Sequence, residues 1–414
     1  MLFLLKKIDL LFIVFVVIVV DTLLTTGTLH QQSKRNPVVL LPGDGGCQLR
    51  ASLNKSEVPH FYCKEHTSEY SIWLDVGEFV PPFVNCFIEN IRLVYDNTTR
   101  TSSFPPGVNI TVPGFGPTST VEWLDPSHES FTKYYVGLVN ALVAKGYVRN
   151  TTVRGAPYDF RRAPNEAAQY FKDLKALIEE TYYMNGNTKV VMISHSLGCM
   201  FGLYFLNHQD QDWKDKFIQS WVPIAPPLGG ATKIIRLYAS GDDFGVWAVE
   251  ALKARKAQRT YPSSALLAPL QRLWAKDEAI VITPKRNYTA YDYQVFFNDV
   301  GYETGYELWK DTSPLNNEVK APGVPVFSIH GKDVPTEEQY TYGDEFPDVQ
   351  PKIKFGQGDG TVNMRSLKAL LKWKNEQKQP VIEYEISGGE HLAILQNSTL
   401  HDYIINKVLQ LNST

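Results

Sequence analysis

The chain has 414 residues, 43% hydrophobic and 21% charged, a balance that suits a folded protein with a large core and excludes a disordered one. Its 41 basic and 44 acidic residues leave a formal net charge of −3, so there is no global positive field of the kind a nucleic-acid binder uses to neutralise phosphates. Composition goes no further.

At the N-terminus, Lys6 and Lys7 precede an apolar run from Leu10 to Val20, followed by a Thr- and Gly-containing stretch from Thr22 to Thr28. These read as the three regions of a secretory signal peptide over residues 1–29. The alternative is an uncleaved anchor, which Leu23 and Leu24 favour. Asp21 opposes it, and the run falls short of the roughly 20 residues a membrane span needs. N-glycosylation sequons at Asn54, Asn97, Asn109, Asn150, Asn287, Asn397 and Asn412 agree with the secretory route, and so with a glycoprotein of the lysosome or the extracellular space. In an oxidising lumen four cysteines allow three complete pairings. Cys63 and Cys86 flank a short segment and are expected to pair, leaving Cys47 and Cys199 as free buried thiols. No CxxC or Cys/His spacing points to a metal.

From Pro37 onward, short β-branched runs alternate with longer amphipathic ones, the pattern of an α/β fold with a mainly parallel sheet. Val38 to Leu41 is an apolar run that ends at Pro42-Gly43. Residues 163–183 predict a helix with Phe171, Leu174, Leu177, Ile178 and Thr181 on one face. Strands are predicted at Val190–Ile193, Ile218–Ile224, Val324–Ile329 and Val381–Ile386, and helices at Leu197–His208, Met364–Lys374 and Leu400–Leu411. Two stretches break the rhythm. Residues 51–113 look loop-like and hold the Cys63–Cys86 pair around Phe79, Val80, Pro81, Pro82, Phe83 and Val84. Such an apolar loop is either tucked under the domain or presented outward to lipid. Residues 231–306 follow a core strand, where lids and caps are inserted.

Ser194-His195-Ser196-Leu197-Gly198 lies between a predicted strand and a predicted helix. A sharp turn there lifts the Ser196 hydroxyl clear of the sheet, and small flanking residues let the chains approach. A serine hydroxyl needs a base, and the base needs an orienting acid, in the chain order Ser, acid, His. His391 follows a predicted strand near the end of the chain. Among its competitors, His208 is too close to Ser196, His401 reads as a surface helix residue, and His330 leaves little chain for the acid. Asp359, between Gly358 and Gly360, supplies the acid. The oxyanion site is expected at the Leu197 amide and in Pro42-Gly43-Asp44-Gly45-Gly46. Those glycines do not form GxGxxG, so no dinucleotide cofactor is expected.

With these motifs in place, the chain resembles the lecithin–cholesterol acyltransferase and lysosomal phospholipase family of α/β-hydrolases, most of all its lysosomal phospholipase A2 branch. The resemblance runs from Pro37 to Leu411 through Pro37–Asp44, Ile72–Leu74, Val112–Gly116, Arg154–Pro164, Trp213–Lys216, Ala239–Asp242, Gly358–Val362 and Glu390-His391. It implies an α/β-hydrolase with a mainly parallel central sheet, a catalytic triad of Ser196, Asp359 and His391, and oxyanion amides at Asp44 and Leu197. It also implies a disulfide-stapled membrane-binding insertion at about 51–113, with Phe79, Val80, Phe83 and Val84 facing outward, and a lid or cap at about 231–306.

The implied activity is a calcium-independent, cofactor-free serine phospholipase and O-acyltransferase, with a glycerophospholipid donor and water or a lipid alcohol such as ceramide as acceptor, at acidic pH. It would work as a monomer on a phospholipid membrane or lipoprotein surface. Asp44 matches the lysosomal branch, where the plasma acyltransferase resembles this chain with a cysteine. Leu228 departs from a tryptophan usual in the family, Cys47 from an asparagine, and the family's second disulfide has no cysteines here. Two rivals stand beside this reading. One is a sterol-esterifying plasma-type acyltransferase, to which Cys199 is similar. The other is a non-catalytic lipid-binding or adhesion module, against which the filled triad speaks.

Overall fold

The six strands of the central sheet are short, and two of its inner strands, VVLL and VVMISH, are buried throughout, as expected where helices cover both faces of a parallel sheet. In chain order they are β1 (Val38–Leu41), β2 (Val153–Gly155), β3 (Val190–His195), β4 (Ile218–Ile224), β5 (Val326–Lys332) and β6 (Val381–Ser387). The computed structural model describes residues 35–128, 132–243, 250–316 and 319–411; the expected signal peptide and the Asn412 sequon lie outside them.

The spatial order is β6-β5-β4-β3-β1-β2, with every neighbouring pair parallel. The chain therefore leaves β1 towards β2 on one side and returns to β3 on the other. Such a reversal opens a crevice beyond the carboxyl ends of β1 and β3, where ligands bind in open α/β sheets. The glycine turn after β1 and Ser196 after β3 both sit there. Helix α1 (Ala168–Met184) packs Leu174, Leu177, Ile178 and Thr181 into the core. Helix α2 (Leu197–Asn207) starts directly after Ser196 and is buried along most of its length.

Boundaries depart from expectation for local reasons. Strand β5 begins at Val326 because Pro325 has no N–H to join a ladder. The predicted helix over residues 364–374 is a short helix, Met364–Leu367, followed by a tighter turn, Ala369–Asn375. The last helix starts at Ser398, where the Asn397 side chain caps the Thr399 N–H at 2.8 Å, and widens after Tyr403. His401 is not a surface residue: it is buried, with its Nε2 2.8 Å from the Leu395 carbonyl oxygen.

Residues 51–113 are more ordered than a loop. Leu49–Asn54, His66–Trp73 and Val108–Thr111 form a three-stranded antiparallel sheet, and Val94–Asp96 pairs with Thr101–Ser103. Cys63 and Cys86 are bridged, with Cα atoms 5.5 Å apart. The expected outward quartet is half corrected. Val80 and Phe83 are 52% and 47% exposed, but Phe79 and Val84 are each 2% exposed. Pro81 and Pro82 put a tip between them, so residues 80 and 83 point out while 79 and 84 flank the tip on the inside. Phe79 packs edge-on against Phe87 at 4.9 Å and Trp73 at 6.1 Å. Phe61, which the apolar run did not reveal, is 97% exposed.

Within residues 231–306 lie the helices Lys233–Ser240, Ala251–Gln258, Pro262–Leu266 and Tyr293–Asp299. Asn54, Asn97, Asn109, Asn150 and Asn287 are exposed, whereas Asn397 is half-buried by its capping role. Among the described residues no helix is long and apolar enough to cross a membrane.

Candidate active site

Ser196 joins β3 to α2 with φ 52° and ψ −126°, a left-handed backbone that a non-glycine residue holds only under constraint. The constraint is visible on both sides. The Ser196 N–H donates to the Ile224 carbonyl at 3.0 Å, and Cys199 N–H donates back to the Ser196 carbonyl at 2.8 Å. A Cβ on Gly198 would sit 2.3 Å from the Pro42 carbonyl oxygen, so glycine is what lets α2 press against the end of β1. A Cβ on Gly43 would meet the Ser196 Cβ at 2.8 Å, which places the glycine turn directly against the serine.

His391 and Asp359 come to Ser196 from across the sheet. His391 Nδ1 donates to Asp359 Oδ2 at 2.8 Å, and its Nε2 accepts from the Ser196 hydroxyl at 2.9 Å. The His391 N–H also donates to the Asp359 carbonyl at 2.8 Å, which locks the two loops together. Burial acts to raise the Asp359 carboxyl, but attraction to His391, the hydrogen bond from it and the N–H groups of Val362 and Thr361 outweigh burial and hold it below the ordinary range. The acid is thus ionised and aimed at one imidazole nitrogen.

The competing histidines are engaged elsewhere. His330 faces the Gly331 carbonyl and Glu383, and His208 faces the Tyr204 carbonyl. Glu383 and Glu385 gather near His330, but Lys332 and Lys368 ion-pair with these carboxylates.

The turn after β1 closes through a Gly46 N–H to Gly43 carbonyl bond of 3.0 Å, which does not use the Asp44 N–H. Leu197 opens α2, so its N–H has no carbonyl one turn earlier to serve. These two amides are the candidates for an oxyanion site. Asp44, Gly45 and Leu392, the neighbour of His391, line a cavity of about 460 Å³ together with Trp73, Leu74, Phe79, Phe160 and Leu237. Phe79, expected at the surface, is a wall of this cavity.

Asp44 is exposed by surface area because it faces the open cavity, yet protein surrounds it there. That burial lifts its carboxyl from 3.8 to about 7, against the Gly45 N–H, which lowers it. Asp44 is therefore neutral at acid pH and charges as the pH rises through about 7, beside one of the two candidate oxyanion amides. Asp44→Asn is expected to keep the acid-side rate and to remove the fall in kcat/KM around about pH 7. Its raised carboxyl also contributes stability that is full below 3.8 and lost as pH rises through about 7, so the variant should gain Tm relative to wild type on the alkaline side. Superimposable pH–rate profiles for the two proteins would remove this role.

Cys47 and Cys199 are free and buried. Burial pushes both thiols up to about 12, so neither offers a thiolate at ordinary pH. Leu228 is also fully buried. Two residues that sequence reasoning did not single out lie within the site: Tyr134, whose hydroxyl accepts from the Gly43 N–H at 2.8 Å, and His195, which meets that hydroxyl. His195 was in plain view inside the serine pentapeptide, while Tyr134 carries no motif.

A family model described as lecithin:cholesterol acyltransferase matches residues 69–398. The chain belongs to the lecithin:cholesterol acyltransferase family. It is 44% identical over 394 residues to the lysosomal phospholipase A and acyltransferase of Bos taurus, covering 93% of this chain and 96% of that one. Against the human protein of the same name the identity is 44% over 369 residues, 89% of each chain. Human phosphatidylcholine-sterol acyltransferase is 39% identical over 388 residues, 93% of this chain and 87% of the other. Membership makes this protein an acyl-transferring hydrolase, and the α/β-hydrolase architecture expected from the resemblance is the one observed.

Proposed function

We propose that the protein cleaves a fatty-acyl ester of a glycerophospholipid through an acyl-Ser196 intermediate and passes the acyl group to water or to a lipid alcohol. The observation that carries this reading is the continuous relay Ser196–His391–Asp359 beside the apolar cavity. Ser196 Oγ attacks the ester carbonyl as His391 Nε2 takes its proton, and the Asp359 carboxylate stabilises the imidazolium. The Asp44 and Leu197 amides donate to the oxyanion, each worth about 2.7–4 kcal/mol in comparable sites. Collapse returns the proton to the departing alcohol oxygen of the lysophospholipid. Water or a lipid alcohol then gives its proton to His391 and attacks the acyl-enzyme, releasing fatty acid or a new ester and restoring Ser196.

Val80, Phe83 and Phe61 support docking of the insertion at about 51–113 on a phospholipid surface, where the apolar area they bury stabilises peripheral attachment. Residues 231–306 act in this reading as the cap over the cavity. The lysosomal and phosphatidylcholine-linked names of the relatives support a lipid substrate and a lysosomal or secreted location.

The test is turnover of anionic phospholipid liposomes carrying a short-chain ceramide, with a calcium chelator present, at about pH 4.5 and about pH 7.4. Fatty acid together with acylated ceramide, favoured at the lower pH, is expected. No product at either pH would sink the reading. Ester formation only when cholesterol replaces ceramide would move the protein to the sterol-esterifying branch.

A further inference from the structure

The imidazole of His195 is 2% exposed and lies between three segments of the site that are far apart in sequence. Its Nε2 is 2.9 Å from the carbonyl oxygen of His391. A carbonyl can only accept, so that nitrogen carries the proton and Nδ1 is left with a lone pair. The Tyr134 hydroxyl faces Nδ1 and therefore donates to it. The same phenolic oxygen accepts from the Gly43 N–H at 2.8 Å, at the start of the glycine turn. Every donor and acceptor along this path is used once, and only one tautomer satisfies it. Burial, with the neighbouring His391, pushes the His195 imidazole down to about 3, against the bond to the His391 carbonyl, so it stays neutral. Tyr134 is tied further, because its own carbonyl accepts from the Gln396 side chain, a short way past His391.

We propose that His195, the residue before the nucleophile, is a positioning residue that holds the His391 loop and the oxyanion turn in register with Ser196, donating one hydrogen bond to the first and accepting one from the tyrosine that holds the second. The inference rests on the assignment of Ser196, His391 and the Asp44 amide given above. Its physical basis is that the relay needs hydrogen-bond geometry at Ser196 and His391 together, and both loops hang from opposite edges of the crevice. Without the strut the Gln396 side chain on the Tyr134 carbonyl still joins the two sides, but it holds neither His391 itself nor the Tyr134 hydroxyl. His195 itself does not act as a base, because its one lone pair is taken and its one proton is committed.

The test separates the two arms. In His195→Gln the amide nitrogen reaches the position of Nε2 and keeps the bond to the His391 carbonyl. In His195→Asn the amide oxygen sits near the position of Nδ1 and keeps only the Tyr134 arm. Turnover of a soluble short-chain ester, titration of reactive Ser196 with a fluorophosphonate and Tm are measured for both variants and for His195→Ala. His195→Ala and His195→Asn are expected to lose about 10- to 100-fold in kcat per titrated site with KM little changed, and His195→Gln to recover about ten-fold of that loss. Equal kcat in the Gln and Asn variants, or a loss that only tracks the fraction of titratable serine or a fall in Tm, would overturn the proposal. Those results leave the triad assignment standing, since it fails only if Ser196→Ala keeps activity.

Discussion

Ser196→Ala is expected to lower kcat by about a million-fold while leaving the protein folded and able to bind liposomes. Alanine removes the atom proposed to carry the acyl group and one hydrogen bond to His391, but it occupies the same backbone without added bulk. Ser196 sits at φ 52°, and the bonds that hold it there run from its N–H to Ile224 and from Cys199 to its carbonyl, none of which involves the hydroxyl. Tm should thus stay within a few degrees of wild type, about the shift that 1 kcal/mol or less produces. Residual turnover would come from the oxyanion amides and binding alone. Because the three side chains act as a unit, His391→Ala in the same background should cost almost nothing more. A Ser196→Ala protein with more than about a thousandth of wild-type turnover would mean that another group is the nucleophile.

The parts that can be read from the chain are those where a local pattern carries the whole constraint. Strand β1 and β3 up to Ile193 are continuous apolar runs because both faces of a parallel sheet are covered, and Ser196 announces itself because an elbow needs Gly198. Strand β2 offers no such signal: Val153-Arg154-Gly155 is three residues long and its centre is a charge. The segment around Phe79 to Val84 shows a different limit. Apolarity says that each of these side chains leaves water in some state of the protein, but not whether for the core or for lipid. The division into Val80 and Phe83 outside, Phe79 and Val84 inside, depends on a chain reversal at Pro81-Pro82 that spacing does not encode. Tyr134 reaches Gly43 across 91 residues of sequence, so its part in holding the glycine turn is a property of the fold alone.

Those long-range supports bear most directly on Asp359. Its Oδ1 accepts the N–H groups of Thr361 and Val362 at 3.1 and 2.7 Å, while its Oδ2 accepts from His391 Nδ1. Asparagine fits the same space, but its two ends differ. The pair of backbone donors fixes the amide oxygen on the Oδ1 side, which turns the NH2 group towards His391. An imidazole facing a donor must present its Nδ1 lone pair and carry its proton on Nε2, and that proton then points at the Ser196 hydroxyl. The base is thereby placed in the tautomer that cannot accept. Asp359→Asn is accordingly expected to lose about ten thousand-fold in kcat, with Tm and fatty-acyl binding nearly unchanged. Asp359→Ala should lose a similar factor in rate and also lose stability, because the buried N–H groups of Thr361 and Val362 are left without their acceptor, a cost of about 1–3 kcal/mol. If Asp359→Asn kept within about ten-fold of wild-type kcat, the carboxylate would not be what sets the tautomer, and the His391 carbonyl held by His195 would become the main determinant of that ring's orientation.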